Sequence, residues 1–161
     1  MCSKLDKGTE FRVLLPLIEQ AYKATANTIK GAPEGNGEVV VVVDDEELIR
    51  EPCVSILEMQ GYTAIKAPSG VEVIERWPGL RTKVNLVLTE FIMPQGVSGH
   101  DLGTWLYEKD PDLKVIYCSG FSQPNLRRRF KLREGINFLS KPFTTDSLLN
   151  MVHRVLIEKP D

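Results

Sequence analysis

The chain lacks the marks of a secreted, metal-stapled or membrane-spanning protein. Its 161 residues hold only three cysteines, Cys2, Cys53 and Cys118. Their odd number and scattered positions give no disulfide framework and no thiolate metal spacing, so a reducing, cytoplasmic setting is expected. No apolar run reaches bilayer length, because Pro16, Glu19 and Lys23 interrupt the candidate near the start. The same region has neither the extended apolar core nor the small-residue cleavage site of a secretory leader. An excess of one charge is also missing. Lys and Arg number 20 against 22 Asp and Glu, a formal net charge of -2, which gives no electrostatic case for nucleic acid as a partner. Histidine is nearly absent. His100 and His153 fall on expected helix surfaces and are assigned no role.

What remains is an ordinary globular composition, 42% hydrophobic and 26% charged, long enough for one domain with a core and some excess. The glycines and proline of residues 31–37 mark a linker. They precede a strand and do not follow one, which rules out a dinucleotide-binding fingerprint. Residues 1–37 are therefore expected to be an N-terminal extension and linker, 38–157 the domain, and 158–161 a tail. Within the extension, 1–10 is polar and expected to be loose, 11–17 is strand-like, and 18–30 has helical composition.

From residue 38 apolar runs alternate with helical patterns. Strands are expected at 39–43, 62–67, 84–89, 113–118 and 136–139. The valine run 39–43 suits a parallel strand covered on both faces. The first helix follows Asp45, with Leu48, Ile49, Pro52, Cys53, Ile56 and Leu57 as its inward face and a kink at Pro52. Pro78 and Gly79 are expected to stop the second helix. A third spans 100–109, a basic fourth 123–133, and a last one follows Thr144 or Thr145 as cap. Five βα units give a doubly wound α/β fold: a five-stranded parallel sheet in the flavodoxin-like order 2-1-3-4-5, with helices on both faces.

That order gathers the chemistry at one edge of the sheet. The stretch 85–94 reads NLVLTEFIMP, a buried strand ending in the carboxylate of Glu90. Asp44 and Asp45 end the first strand, Ser119 and Gly120 the fourth, and Lys141-Pro142-Phe143 follows the fifth. Crowding Asp44, Asp45 and Glu90 together calls for a cation, and an all-oxygen set beside a phosphate site suits Mg²⁺. With Lys141 and Ser119 facing Glu90, the constellation suits formation of an acyl phosphate on a carboxylate.

In their order and spacing these motifs resemble the receiver domain of two-component signalling, from Glu38 to about Leu156. The resemblance implies that Asp45 binds Mg²⁺ directly and Asp44 through water, with the Ile92 backbone carbonyl as another ligand. It makes Glu90 the phosphoacceptor position, Ser119 and Phe138 the switch pair, and Lys141 the partner of the phosphoryl group. It implies a signalling role and no enzyme activity. A histidine kinase or phosphotransfer protein would be the partner; a homodimer stays open, and neither nucleic acid nor membrane contact is expected.

One residue departs from that pattern. The family places aspartate where this chain has Glu90. The added methylene moves the carboxylate by about 1.3–1.5 Å, and a misplacement of about 1 Å can slow a transfer roughly 100-fold. A pseudo-receiver and a standing imitation of the phosphorylated state both follow. The alternatives are a phosphorylation-independent interaction module and, ranked last, a small phosphohydrolase with a carboxylate nucleophile, for which no general base is in view. Phe138 reads equally as core, and the arginines of 127–133 read first as a solvated helix face. Near the start, KGTEFRVLLP at 7–16 is similar to the last strand of a histidine-kinase ATPase domain. This would make the chain the tail of a hybrid sensor kinase, or a fragment of one, without its ATP-binding boxes.

Overall fold

A run of β-branched residues favours extended backbone. Val39–Val43 is such a run, and it forms the second strand of a five-stranded parallel sheet. The computed structural model describes residues 2–4, 8–10, 32–94, 96–120 and 128–157. The strand expected at 11–17 and the helix at 18–30 lie outside them. The chain divides into two compact units, Met1–Lys30 and Gly31–Asp161.

The described part of the first unit is a short antiparallel ladder between β1 (Cys2–Lys4) and β2 (Gly8–Glu10). This corrects the expectation of a loose segment at 1–10. Main-chain pairing satisfies backbone donors and acceptors without any apolar pattern, and Gly8 takes the positive φ (88°) that starts the return strand.

The second unit continues with β3 (Val39–Val43), α1 (Glu47–Met59), β4 (Thr63–Ala67), α2 (Gly70–Leu80) and β5 (Val84–Glu90). It closes with α3 (Gly99–Lys109), β6 (Lys114–Ser119), β7 (Phe138–Ser140) and α4 (Thr145–Ile157). The sheet order is β4-β3-β5-β6-β7 with every pair parallel. This is the expected 2-1-3-4-5 order, and it sets β3 beside β5 where the winding reverses. Val41, Val43 and Val87 pack on one face with Val73, Trp77, Leu102 and Leu106 from α2 and α3. Val40 and Val42 point the other way by strand alternation. They are equally buried, beneath the cover of α1 and α4.

The caps follow the sequence. Ser69 and Ser98 accept the Glu72 and Asp101 amides at the starts of α2 and α3, and Thr144 accepts from Ser147 before α4. Other details differ from expectation. The inward face of α1 is Arg50, Cys53, Val54 and Leu57, while Leu48 is 89% exposed and Pro52 is also exposed. The reason is the 3.6-residue period, which the set 50, 53, 54, 57 keeps and which places 48 and 52 on the far side. α2 runs through Pro78 and Gly79 to Leu80. One more turn buries Leu80 beside Trp77 in the core, which offsets the lost hydrogen bond.

The expected helix at 123–133 lies partly outside the described residues. Its described end leaves the helical path: Lys131 has φ 52°, and the Arg133 amide donates to the Asn137 side chain at 2.8 Å. The turn buries Leu132 against Phe91 and Phe138. Ile136, expected in the last strand, is 53% exposed because β7 begins only at Phe138.

Two glycines of the expected linker bond to the turn after α1. Gly35 and Gly37 donate to the Gln60 and Gly61 carbonyls at 2.7 and 2.9 Å. A Cβ on Gly35 would lie 2.6 Å from the Tyr62 ring.

The corrected α1 face gives a paired prediction. Leu57 is fully buried, so Leu57→Ala should lower unfolding free energy by about 2–5 kcal/mol. Leu48→Ala, on the exposed face, should change it by less than about 0.5 kcal/mol. Chemical denaturation of both variants checks this, and a larger loss at Leu48 would restore the originally expected face.

Candidate functional site

Three strand ends and one loop meet at the C-terminal edge of the sheet. β3 ends at Val43, so Asp44 is the first residue past it, and β5 ends at Glu90 itself. Val43 is in register with Thr89, which brings the two acidic residues to neighbouring positions. Ser119 ends β6. Its carbonyl accepts the Lys141 amide at 2.9 Å, and this bond returns the chain after β7 to the same edge. Glu134 holds the preceding residue, taking the Ser140 amide at 3.1 Å and the Ser140 hydroxyl at 2.6 Å.

The Lys141 ammonium is the centre of the site. It lies 2.6 Å from Asp44 Oδ2 and 2.5 Å from Glu90 Oε2. All three side chains are largely withdrawn from water: Lys141 is 15% exposed, Asp44 6% and Glu90 11%. Burial pulls the Lys141 pKa down, but hydrogen bonds and charge from Asp44 and Glu90 outweigh it and hold the ammonium above the ordinary lysine value.

Asp44 is held on every side. Its amide donates to the Ala67 carbonyl at 3.3 Å. Its Oδ1 accepts the Glu46 amide at 2.9 Å, and its carbonyl accepts Arg50 Nη1 at 2.5 Å. Glu90 is held through its backbone. The Thr89 hydroxyl donates to the Glu90 carbonyl at 3.0 Å, and a side chain at Gly99 would collide with that carbonyl oxygen. The Ile92 amide approaches Glu90 Oε1 at 3.4 Å.

Asp45 does not join this group. Asp44 is 4% exposed, whereas Asp45 is exposed and lines an open cleft with Glu46, Glu90, Ile92, Pro94, Gly120 and Lys141. The expected crowding of Asp44, Asp45 and Glu90 into one ligand set is thus corrected. Among the described residues no three acidic, histidine or cysteine side chains stand close enough together to hold a metal ion. Successive residues of an extended chain point to opposite sides, so the acidic pair diverges. Lys141 supplies the cation that Asp44 and Glu90 need. The donors facing the cleft still fit a hard divalent cation in kind, since Asp45, Glu46 and Glu90 all offer carboxylate oxygens.

The two residues expected to form a switch pair, Ser119 and Phe138, are both buried. Ser119 is 3% exposed and Phe138 1%. Phe138 is in register with Tyr117 and packs with Phe91 and Leu132. Phe91, the residue after Glu90, makes edge-on contacts with His100, Tyr117 and Phe130 at 5.2 to 5.8 Å between centroids. Sequence reasoning missed Arg50, Glu134 and Gly99. The helical spacing of Arg50 with Cys53, Val54 and Leu57 was the available signal for the first; nothing in the linear sequence ties Glu134 to Ser140 or Gly99 to Glu90.

A family model described as the response regulator receiver domain matches residues 40–153. The chain belongs to that family. Receiver domains are signalling modules of two-component pathways and are not enzymes. The chain is 33% identical over 167 residues to the sensor kinase CckA of Brucella abortus (strain 2308), an alignment that takes in 99% of this chain and 18% of that protein. It thus spans about a fifth of that kinase. It is also 30% identical to the response regulator receiver protein CpdR of the same organism, over 73% of this chain and 96% of the relative. Among solved structures, the receiver domain of the hybrid histidine kinase CckA superposes with a TM-score of 0.61 at 24% identity, covering 73% of this chain and 98% of that one. The non-phosphorylated HemR receiver domain of Leptospira biflexa gives 0.67 at 24% identity, covering 77% and 98%. At these identities the structural likenesses speak for the fold alone. No helix among the described residues is long and apolar enough to cross a membrane.

Removing the lysine tests the site's charge balance. Lys141→Met leaves two poorly hydrated carboxylates without their cation and should destabilise the receiver by about 3 kcal/mol near neutral pH. The folded pKa of Lys141 is raised, so the stabilisation is fully present below the unfolded lysine value of 10.5 and disappears as pH rises through the higher folded value. Denaturation curves of the two proteins should therefore converge in strong alkali. A constant gap across that range would show that Lys141 acts by packing instead.

Proposed function

We propose that this chain is a receiver-type signalling module whose phosphoacceptor position is filled by Glu90, and that Glu90 holds the site in one state in place of a reversible phosphoryl group. The observation that carries this reading is the Lys141 ammonium seated between Asp44 and Glu90. Lys141 is the residue that the receiver resemblance pairs with a phosphoryl oxygen. Here a carboxylate already occupies it, in a largely buried pair that needs no donor. The deep burial of Phe138 beside the site accords with a fixed aromatic switch position.

Each residue then has a role. Glu90 is the standing anion and Lys141 its cation. Asp44 is the second carboxylate that keeps Lys141 in place, and Ser119 and Phe138 are the switch pair. Asp45, Glu90 and the Ile92 backbone carbonyl are the groups that would hold Mg²⁺, which when bound neutralises charge at the acidic cleft. We place the module in the cytoplasm, with a histidine kinase or a phosphotransfer protein as partner. The alignment with a sensor kinase takes in 99% of the chain, including the residues ahead of the receiver. This supports reading the chain as part of a hybrid kinase, with residues 1–37 as the end of the preceding domain and its linker.

Intact mass after incubation with acetyl phosphate and Mg²⁺ tests the reading. In a competent receiver a carboxylate oxygen attacks phosphorus, the bond to the donor's acetate oxygen breaks, and acetate leaves. The wild-type chain should gain no phosphoryl mass, and Glu90→Asp should gain one group. Gain by the wild-type chain would overturn the role given to Glu90. Failure of both would move the chain to a phosphorylation-independent interaction module.

A further inference from the structure

The acidic site contains a second cation that the receiver reading leaves without a role. Arg50 lies on α1, away from the cleft, and is only 9% exposed. Burying a guanidinium is expensive unless its donors are used. One is used well: Nη1 donates to the Asp44 carbonyl at 2.5 Å, in a buried bond. Another has no use, since Nε is buried without a hydrogen-bond partner. A side chain kept for stability alone would be better replaced there by an apolar one. Arg50 also lines the same small cavity as Asp44, Glu90 and Lys141, together with Cys53 and Cys118.

The geometry around Asp44 shows what the bond achieves. Lys141 takes one carboxylate oxygen and the Glu46 amide the other. The Asp44 amide is tied to Ala67. The carbonyl is the remaining handle on this residue, and it belongs to the peptide that joins Asp44 to Asp45. Fixing it fixes the direction in which the chain leaves the strand.

We propose that Arg50 is a positioning residue of the acidic site: by holding the carbonyl between Asp44 and Asp45, it keeps the Asp44 carboxylate on Lys141 and leaves Asp45 facing the open cleft. The proposal rests on the reading of Asp44, Glu90 and Lys141 as the functional centre. It adds that the division of labour within the acidic pair is imposed from α1.

Two measurements on the full chain test it. Hydrogen exchange of the Glu46 amide, the donor to Asp44 Oδ1, reports whether Asp44 stays in place. Arg50→Met should speed that exchange about tenfold or more while amides in the sheet core hold their protection, and Arg50→Lys, which keeps a cationic donor, should restore part of it. Arg50→Gln replaces Arg50→Met in the comparison if the latter does not fold. Unchanged Glu46 exchange, or equal loss across the whole sheet, would overturn the positioning role. The second measurement uses the Glu90→Asp background. There Arg50→Met should slow phosphoryl gain from acetyl phosphate about tenfold or raise the Mg²⁺ concentration for half-maximal rate by a similar factor, again with partial rescue by lysine. An unchanged rate and Mg²⁺ midpoint would overturn any functional consequence of the positioning. If Glu90→Asp itself gains no phosphoryl group, the proposed function fails, while the exchange data still decide the role of Arg50.

Discussion

One ammonium holds the functional edge of this receiver together. Lys141 reaches Asp44 and Glu90 at 2.6 and 2.5 Å from a loop that is far from both in sequence. Without it, two carboxylates would share a poorly hydrated edge and repel each other. With it, the ends of β3 and β5 are tied to the segment after β7. Much of the nearby structure serves to present that one group. The Ser119 carbonyl and the Glu134 carboxylate anchor the chain on either side of the Ser140–Lys141 peptide. Thr89 and Gly99 set the Glu90 backbone, and Arg50 secures Asp44 from behind.

The same interaction gives the Lys141 ammonium two carboxylate partners, Asp44 and Glu90. A buried lysine facing two carboxylates is satisfied as it stands, so nothing in its surroundings calls for a third anion. Here the Glu90 carboxylate meets the lysine directly. Asp45 and Glu46 are exposed and line the open cleft together with Glu90 and Lys141. A cation entering there would meet carboxylates that are not already committed to Lys141, apart from Glu90.

Aromatic residues pack behind the edge. Phe91 follows Glu90 directly and sits among His100, Tyr117 and Phe130, with Phe138 and Leu132 beneath. Such edge-on contacts add about 0.5–1.5 kcal/mol each beyond area burial. They link the strand that carries Glu90 to the start of α3 and to the segment before β7.

The fold was legible because its signals are local and periodic. Unbroken apolar runs of strand length alternate with 3.6-residue patterns, and a doubly wound parallel sheet buries both kinds of element. The order and spacing of Asp44, Glu90, Ser119 and Lys141 likewise mark one edge, because parallel strands put all their C-terminal ends on the same side. Linear sequence could not decide which of two adjacent aspartates meets the lysine. That depends on how strand alternation and the Arg50 bond direct the chain at one peptide. Nor could it reveal that Gly35 packs against the Tyr62 ring or that Glu134 secures Ser140. These are facts of register and close approach between distant segments, set only when the helices seat on the sheet. Residue types determined the architecture and the kind of chemistry present; tertiary packing decided which charges meet, because ion pairing is fixed by ångström-scale distances that composition and spacing do not contain.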